Sequence, residues 1–386
     1  MSTSPPSRRR ARPLAVSLTA PGWNVPTRRA LEALIRRGAG KGLPAVFDFD
    51  NTIVQGDIGE AVLAQLACTG RLVPGQVPEE LCPPLARPRG KRLRMRDCAD
   101  VTEYYERFLR PTAHGSDDPE PLGNAYAWAV QVMSGLRLAE VVAATREVLA
   151  LADSATPQGI QARPGGTTFP VPVFHPEMVE LIAVLVRHEF DVWIVSASNA
   201  WSVRWTVRHA LNPLLAEHGV ARGLAADHVL GVATLLADAR GQLFKDAVLV
   251  RQNARHADLV DRATHRLRLT SQLQFPVPAY SGKVACILDA IGRRPYFCAG
   301  DGLGDHAMLM LSEHRLWIAR LRERVGSQGG VLRETQNCPA GWLVQATREA
   351  GQAGFVSQAD AIPRAALPPE WRVGHRPARP GGPLFA

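Results

Sequence analysis

Lysine is nearly missing from this chain. Of 45 basic residues only four are lysine, namely Lys41, Lys91, Lys245 and Lys283; the others are arginine. A lysine beside a motif is therefore less of an accident here than in most proteins. Cysteine is sparse as well. The six residues Cys68, Cys82, Cys98, Cys286, Cys298 and Cys338 form no C-x-x-C pair, which excludes a zinc framework and a dense disulfide scaffold. They read as buried free thiols in a reducing cytoplasm. No apolar run approaches the roughly 18 residues that a membrane span needs, so no membrane partner is expected. Acidic residues are scarce at one end. Residues 1–42 hold eight arginines and Lys41 against Glu32 alone, which accounts for +8 of the net charge of +9. The near-neutral remainder argues against nucleic acid as a partner of the protein body.

What is present suits a globular protein. The chain has 386 residues, 46% of them hydrophobic and 21% charged, enough for two or three domain-sized units. Residues 1–22 are rich in Ser, Pro and Arg and read as a disordered basic tail. Ser7-Arg8-Arg9-Arg10 ahead of residues 14–20 has the order of a twin-arginine export signal. Its apolar part is short and is cut by Pro21-Gly22, so a cytoplasmic location is preferred. Strand patterns at 44–47, 191–195, 296–299 and 316–319 alternate with helical patterns at 58–68, 177–188, 199–218, 283–292 and 305–311. That alternation predicts an α/β fold, a Rossmann-like, mostly parallel sheet with helices on both faces. Helical patterns at 98–110 and 123–152, a Pro/Arg-rich loop at 71–95 and a Pro/Gly-rich linker at 153–176 interrupt it. Further strands are expected near 228–234 and 242–250. The expected domains are a core of 23–60 and 170–345, a helical cap of 61–169, and a C-terminal extension of 346–386 with a flexible end.

Four pieces carry the chemistry. Val46-Phe47-Asp48-Phe49-Asp50-Asn51-Thr52 ends an apolar strand in two carboxylates spaced i and i+2, which an extended chain points the same way. Val192-Trp193-Ile194-Val195-Ser196 is a second buried strand ending in a hydroxyl. Lys283 opens a helix after Tyr280-Ser281-Gly282. A fourth strand runs into Gly300-Asp301-Gly302-Leu303-Gly304-Asp305. In open α/β sheets the ligand crevice lies at the carboxyl ends of the strands. Each piece alone has a plain structural reading, since Asp and Gly are common turn formers and Ser bonds local backbone. All four in this order are not a chance set.

In these four motifs the sequence resembles the haloacid dehalogenase-like hydrolase superfamily. Its wording, DFDNT and GDGLGD, is similar to the phosphoserine phosphatase and phosphorylcholine phosphatase branch, and the resemblance covers residues 43–312. It implies a phosphoric monoester hydrolase in which Asp48 attacks phosphorus and becomes an aspartyl phosphate. Asp50 would protonate the leaving alkoxide and later take a proton from water. Mg²⁺, a hard cation suited to oxygen ligands, would be held by Asp48, the carbonyl of Asp50 and Asp301. Asp305 would complete the metal set through water or orient Lys283. Thr52, Lys283 and Ser196, with Ser198 as its rival, would hold phosphate. The backbone N–H groups of Phe49 and Asn51 would assist.

The 147 residues between Asp48 and Ser196 far exceed one crossover helix. In this superfamily such an insertion is a cap over the active site and goes with a small phosphorylated metabolite. The long interval from Ser196 to Lys283 leaves room for an extra hairpin or second cap. Asp57 matches the position where phosphoserine phosphatases meet the substrate amine. It also opens a D-x-x-E helix capping box, and both readings stay open. Tyr104, Tyr105, Trp128, Trp201 and Trp205 are either core or rings around a quaternary ammonium. Ser196-Ala197-Ser198 departs from the Ser-Gly-Gly usual in phosphoserine phosphatases. The expected substrate is a phosphomonoester bearing an amine or choline. The alternatives are phosphoryl transfer to an acceptor other than water, or nucleic-acid binding through the Arg-rich N-terminus.

Overall fold

A computed structural model describes residues 15–83, 85–86, 92–113, 125–152, 159–246, 266–320, 342–347 and 353–357. Six strands form one parallel sheet: β1 (Pro44–Phe47), β2 (Asp191–Asn199), β3 (Val229–Val232), β4 (Phe297–Gly300), β5 (His314–Ala319) and β6 (Trp342–Ala346), in the spatial order β6-β5-β4-β1-β2-β3. Every pairing is parallel. Pro44-Ala45-Val46-Phe47 carries no polar side chain because both faces of β1 are covered, and all four residues are buried. The chain leaves β1 toward β2 and β3, then returns to β4 on the other side. That reversal opens a crevice at the carboxyl end of β1, where Asp48 emerges.

The helices cover the sheet as their apolar spacing dictates. Helix α1 (Val25–Gly38) is capped by the Asn24 side chain, which accepts from Thr27 N–H, and it buries Leu31, Leu34 and Ile35. The long connection from β1 to β2 carries α2 (Ile58–Cys68), α3 (Val101–Ala113), α4 (Ala125–Gln131), α5 (Leu138–Ala152) and α6 (Pro176–Arg187). After β2 come α7 (Ala200–Thr206), a π turn at Val207–Leu211 and α8 (Asn212–Glu217), and β4 is flanked by α9 (Ser281–Ile291) and α10 (His306–Leu311).

Several elements differ from the sequence expectation. The helix expected over 123–152 is two helices, broken at Gly135, whose φ of +90° no helix accepts. Residues 71–95 hold 3₁₀ turns and a short hairpin pairing Leu85 with Leu93. The stretch expected as a linker pairs Ile160 with Phe169 in a hairpin, and Val173–Phe174 pairs with Val54–Gln55. The second insertion, between β3 and β4, is antiparallel and is stitched to the helical one. Gly135 N–H donates to Leu269 O, Leu269 N–H to Leu136 O, and Leu138 N–H to Leu267 O. Of the strand expected at 242–250, Leu243–Phe244 is seen, and 247–250 lie outside the described residues.

The tail assignment also needs correction. Residues 1–14 lie outside the described residues, but 15–22 are not a loose tail. Leu18 is buried, and Glu180 accepts from Thr19 N–H, Ala20 N–H and Trp23 Nε1. A buried carboxylate needs such donors, and the arm supplies them. Within the expected C-terminal extension, Phe355 is buried against Trp23, with ring centroids 5.2 Å apart, while 358–386 lie outside the described residues. Among the described residues, no helix is long and apolar enough to cross a membrane.

Candidate active site

The carboxyl ends of β1, β2 and β4 meet where the motifs end. Asp48 N–H donates to Ala299 O of β4 at 2.9 Å, which pins the first carboxylate beside the fourth motif. Lys283 Nζ, in the first turn of α9, donates to Asp48 Oδ1 and to Asp305 Oδ1, each at 2.6 Å. Lys283, Asp48 and Asp305 are all buried. Asp305 Oδ2 accepts from the N–H groups of Asp301 and Gly302, both at 3.0 Å. A Cβ on Gly300 would come within 2.6 Å of the Asp305 side chain, so glycine is required for this fold-back. Of the two tasks expected for Asp305, orienting Lys283 is the one the geometry displays.

Carboxylate oxygens of Asp48, Asp301 and Asp305 lie within 4.8 Å of one another. Three buried hard donors in that space fit a divalent cation such as Mg²⁺. Thr52 has a different place from the one expected. It is fully buried, and its hydroxyl donates to Asp48 Oδ2 at 3.1 Å and lies 3.3 Å from Asp301 Oδ1. In this structure it braces the two carboxylates. Asn51 N–H is likewise taken by Gly56 O at 3.0 Å, and the Phe49 amide helps to hold the Asp48 charge.

Asp50, two residues on, faces other partners. Its Oδ1 accepts Ile58 N–H at 2.7 Å, and its Oδ2 accepts the hydroxyls of Ser196 at 2.9 Å and Ser198 at 2.8 Å. The two serines that sequence reading set against each other thus share one carboxylate. Ser198 Oγ also lies 3.2 Å from Asp57 Oδ1 and accepts from Gly59 N–H at 3.1 Å. Gly59 must be glycine here, because a Cβ would sit 2.4 Å from Ser198 Oγ. Asp57 caps α2, accepting Glu60 N–H at 2.9 Å, and also lines a pocket. The capping reading of Asp57 is observed, and the same residue forms part of the pocket wall. Glu60, which a capping box would turn back to the backbone of residue 57, instead accepts from the Tyr105 hydroxyl at 3.0 Å.

The pocket lies between Asp57, Glu60, Tyr105, Tyr126, Met133 and Ser198 and is narrow, with free space for about one water. Tyr126 stands 6.2 Å from the Tyr280 ring. Of the aromatics weighed above, Tyr104 and Trp128 are core: they stack at 5.2 Å and bond to Pro83 O and Leu81 O. Only Tyr105 faces the pocket. Trp201 is buried, and Trp205 packs on His209.

Burial sets the protonation of the carboxylates. Asp48 is pushed up to about 6, by desolvation first and the Asp305 charge second, with Lys283 pulling down. Asp50 lies well above the ordinary carboxylate range, through desolvation and then the charges of Asp57 and Asp48. Desolvation raises Asp57 too, and lifts Glu60 to about 8 with help from the Asp57 charge. For Lys283, burial acts downward, but the Asp305 and Asp48 carboxylates outweigh it and the net shift is upward. Asp48 thus faces a fixed cation, while Asp50 is suited to hold a proton.

Three residues escaped sequence reasoning. Glu60 was marked only as the last residue of the D-x-x-E capping box, and Tyr126 sits in a helical pattern with nothing local to mark it. Arg320 directly follows β5, and its Nε lies 2.9 Å from Asp301 Oδ2. The strand-end rule that found Asp48 and Asp301 applies equally to Arg320 and is the signal that could have found it.

A family model of haloacid dehalogenase-like hydrolases matches residues 45–310. The chain belongs to that family. It is similar to the phosphorylcholine phosphatase of Pseudomonas aeruginosa, 27% identical over 328 residues, covering 81% of this chain and 84% of the relative. A functionally unknown protein from Anaerococcus prevotii shares the fold, with a TM-score of 0.60 and 19% identity over 89% of this chain and 98% of its own. A phosphoserine phosphatase holding an analogue of its phospho-aspartyl intermediate aligns more loosely, with a TM-score of 0.39 and 14% identity over 79% of this chain and 93% of its own. This member of the family is an enzyme, a phosphoric monoester hydrolase.

Proposed function

We propose that this hydrolase is a Mg²⁺-dependent phosphatase of a small phosphomonoester bearing an amine or choline group, working through an aspartyl phosphate on Asp48. The observation that carries the reading is the split between two carboxylates two residues apart. Asp48 is ion-paired to Lys283, whereas Asp50 is held by hydroxyl and amide donors in a site that favours its protonated form. Asp48 attacks phosphorus, and Asp50 gives its proton to the departing oxygen. Asp50 then accepts a proton from the water that cleaves the aspartyl ester. Lys283 holds a phosphoryl oxygen and offsets the charge that spreads over the transferring group.

Asp48, Asp301 and Asp305, with the Asp50 carbonyl, would hold the cation, and a bound Mg²⁺ would offset the repulsion between carboxylate and phosphate. The substrate class rests on the pocket beside Asp50. The acidic groups of Asp57 and Glu60, which an entering cation would draw into their ionised forms, and the rings of Tyr105 and Tyr126 suit a positively charged head group. The phosphorylcholine phosphatase relative supports that choice. Because the pocket is narrow, the helical insertion must open to admit substrate and close over it, which would also exclude water during the reaction.

Phosphate release from phosphorylcholine, phosphoethanolamine, phosphoserine and an aryl phosphate, with Mg²⁺ and without added acceptor, tests the reading. Turnover of the amine-bearing esters is expected, with loss of at least about 10⁴-fold in Asp48→Asn or in excess chelator. Sustained activity in either condition overturns it.

A further inference from the structure

Arg320 has no part in the mechanism above, yet its guanidinium reaches the metal carboxylates. Its Nε lies 2.9 Å from Asp301 Oδ2, while Oδ1 faces Thr52 and, through it, Asp48. Arg320 can therefore keep its contact while Asp301 offers its other oxygen to a cation. Among the described residues, Asp48, Asp301 and Asp305 carry three formal negative charges, and the side chains ion-paired to them, Lys283 and Arg320, carry two positive ones. Arg320 also acts across the crevice on Asp57 and Glu60. Removing Arg320 makes the site more negative by one charge, which favours a divalent cation and disfavours a phosphate dianion. In a buried setting such a difference is not screened away by salt.

We propose that Arg320 is a resident counter-cation of the carboxylate cluster, one that weakens the hold on the divalent cation and strengthens the hold on the phosphoryl group. It trades metal affinity for anion affinity. The inference rests on the phosphatase reading, because it needs that anion. It requires two effects of opposite sign from one substitution. In the full-length chain, Arg320→Gln binds Mn²⁺ about tenfold more tightly by calorimetry. Inorganic phosphate, measured as a competitive inhibitor of aryl phosphate turnover, binds the same variant about tenfold more weakly. Arg320→Lys, which keeps the charge but not the planar guanidinium, stays within about threefold of the parent in both measurements.

A residue that merely oriented Asp301 would behave differently. Its loss would weaken Mn²⁺ binding, commonly about 10- to 100-fold, and lysine would not rescue it. That result, or a Gln variant unchanged in both constants, overturns the proposal while leaving the phosphatase reading intact. A parent chain that neither binds Mn²⁺ nor releases phosphate from any ester overturns both.

Discussion

Two halves of one crevice differ in how they treat negative charge. On the β4 side, Asp48, Asp301 and Asp305 are tied to Lys283 and Arg320 by ion pairs. On the side of the insertion, Asp50, Asp57 and Glu60 are satisfied by hydroxyls and amides from Ser196, Ser198, Tyr105 and the start of α2. Fixed cations keep a carboxylate ionised and ready to attack or to ligate. Desolvation and neighbouring carboxylates, with no cation paired to it, let a buried carboxyl such as Asp50 keep its proton against the pull of its hydroxyl and amide donors. In the proposed mechanism the chain separates nucleophile from proton donor with a single intervening residue, Phe49. An extended segment starts both carboxylates on the same side, and the two sets of partners separate their roles.

The largest expected effect would break this contrast outright. Asp50→Asn leaves the nucleophile and Lys283 in place but removes the proton donor. Turnover of an alkyl phosphate should fall about 10³-fold, whereas an aryl phosphate, whose leaving group needs little protonation, should lose far less. Steady-state kinetics on both esters checks this, and equal losses would erase the division of labour. Next, Lys283→Ala strips the cation from the β4 side. Its kcat should drop by about 10²–10³-fold. The metal-free protein should lose about 3–5 kcal/mol of stability in urea denaturation, because two buried carboxylates are left unmatched.

The smallest effect sharpens the other half. Glu60→Gln should raise KM for an amine-bearing ester about tenfold, with a much smaller change for an aryl phosphate. The same variant tests the protonation of this half. The Glu60 carboxyl is lifted from 4.5 to about 8, so the folded state holds a proton that the unfolded chain releases. Its contribution to stability is full below pH 4.5 and is lost as pH rises through about 8. Melting temperatures of the metal-free parent should therefore decline over that interval relative to Glu60→Gln. Parallel profiles would show that Glu60 titrates normally.

Some of this was legible in the chain and some was not. The core strands were, because a buried parallel strand is written as an unbroken apolar run such as Pro44-Ala45-Val46-Phe47. The break between α4 and α5 was missed because an apolar helical pattern continues on both sides of Gly135 and only its positive φ ends the helix. The packing of Leu18 and Phe355 was hidden by the Pro/Arg/Gly-rich composition around them, which describes the segments and not the two side chains that anchor them. The structure gave Thr52 and the Asn51 N–H other partners, since hydrogen bonds to Asp48 and Gly56 depend on how a turn closes.

By itself, the sequence determined the sheet, the four strand or helix ends that bear Asp48, Ser196, Lys283 and Asp301, and through them the family. These are local facts: an apolar run followed by a polar residue places that residue at the rim of a parallel sheet. Only the tertiary structure decided which partners meet there. Ser198 and Gly59 are 139 residues apart, and Lys283 and Asp48 are 235 apart. Tyr126 and Arg320 arrive from an inserted helix and from the end of the fifth strand. No periodicity records such meetings. They follow from packing the insertion against the strand ends, where buried charges and hydroxyls must find one another or go unsatisfied.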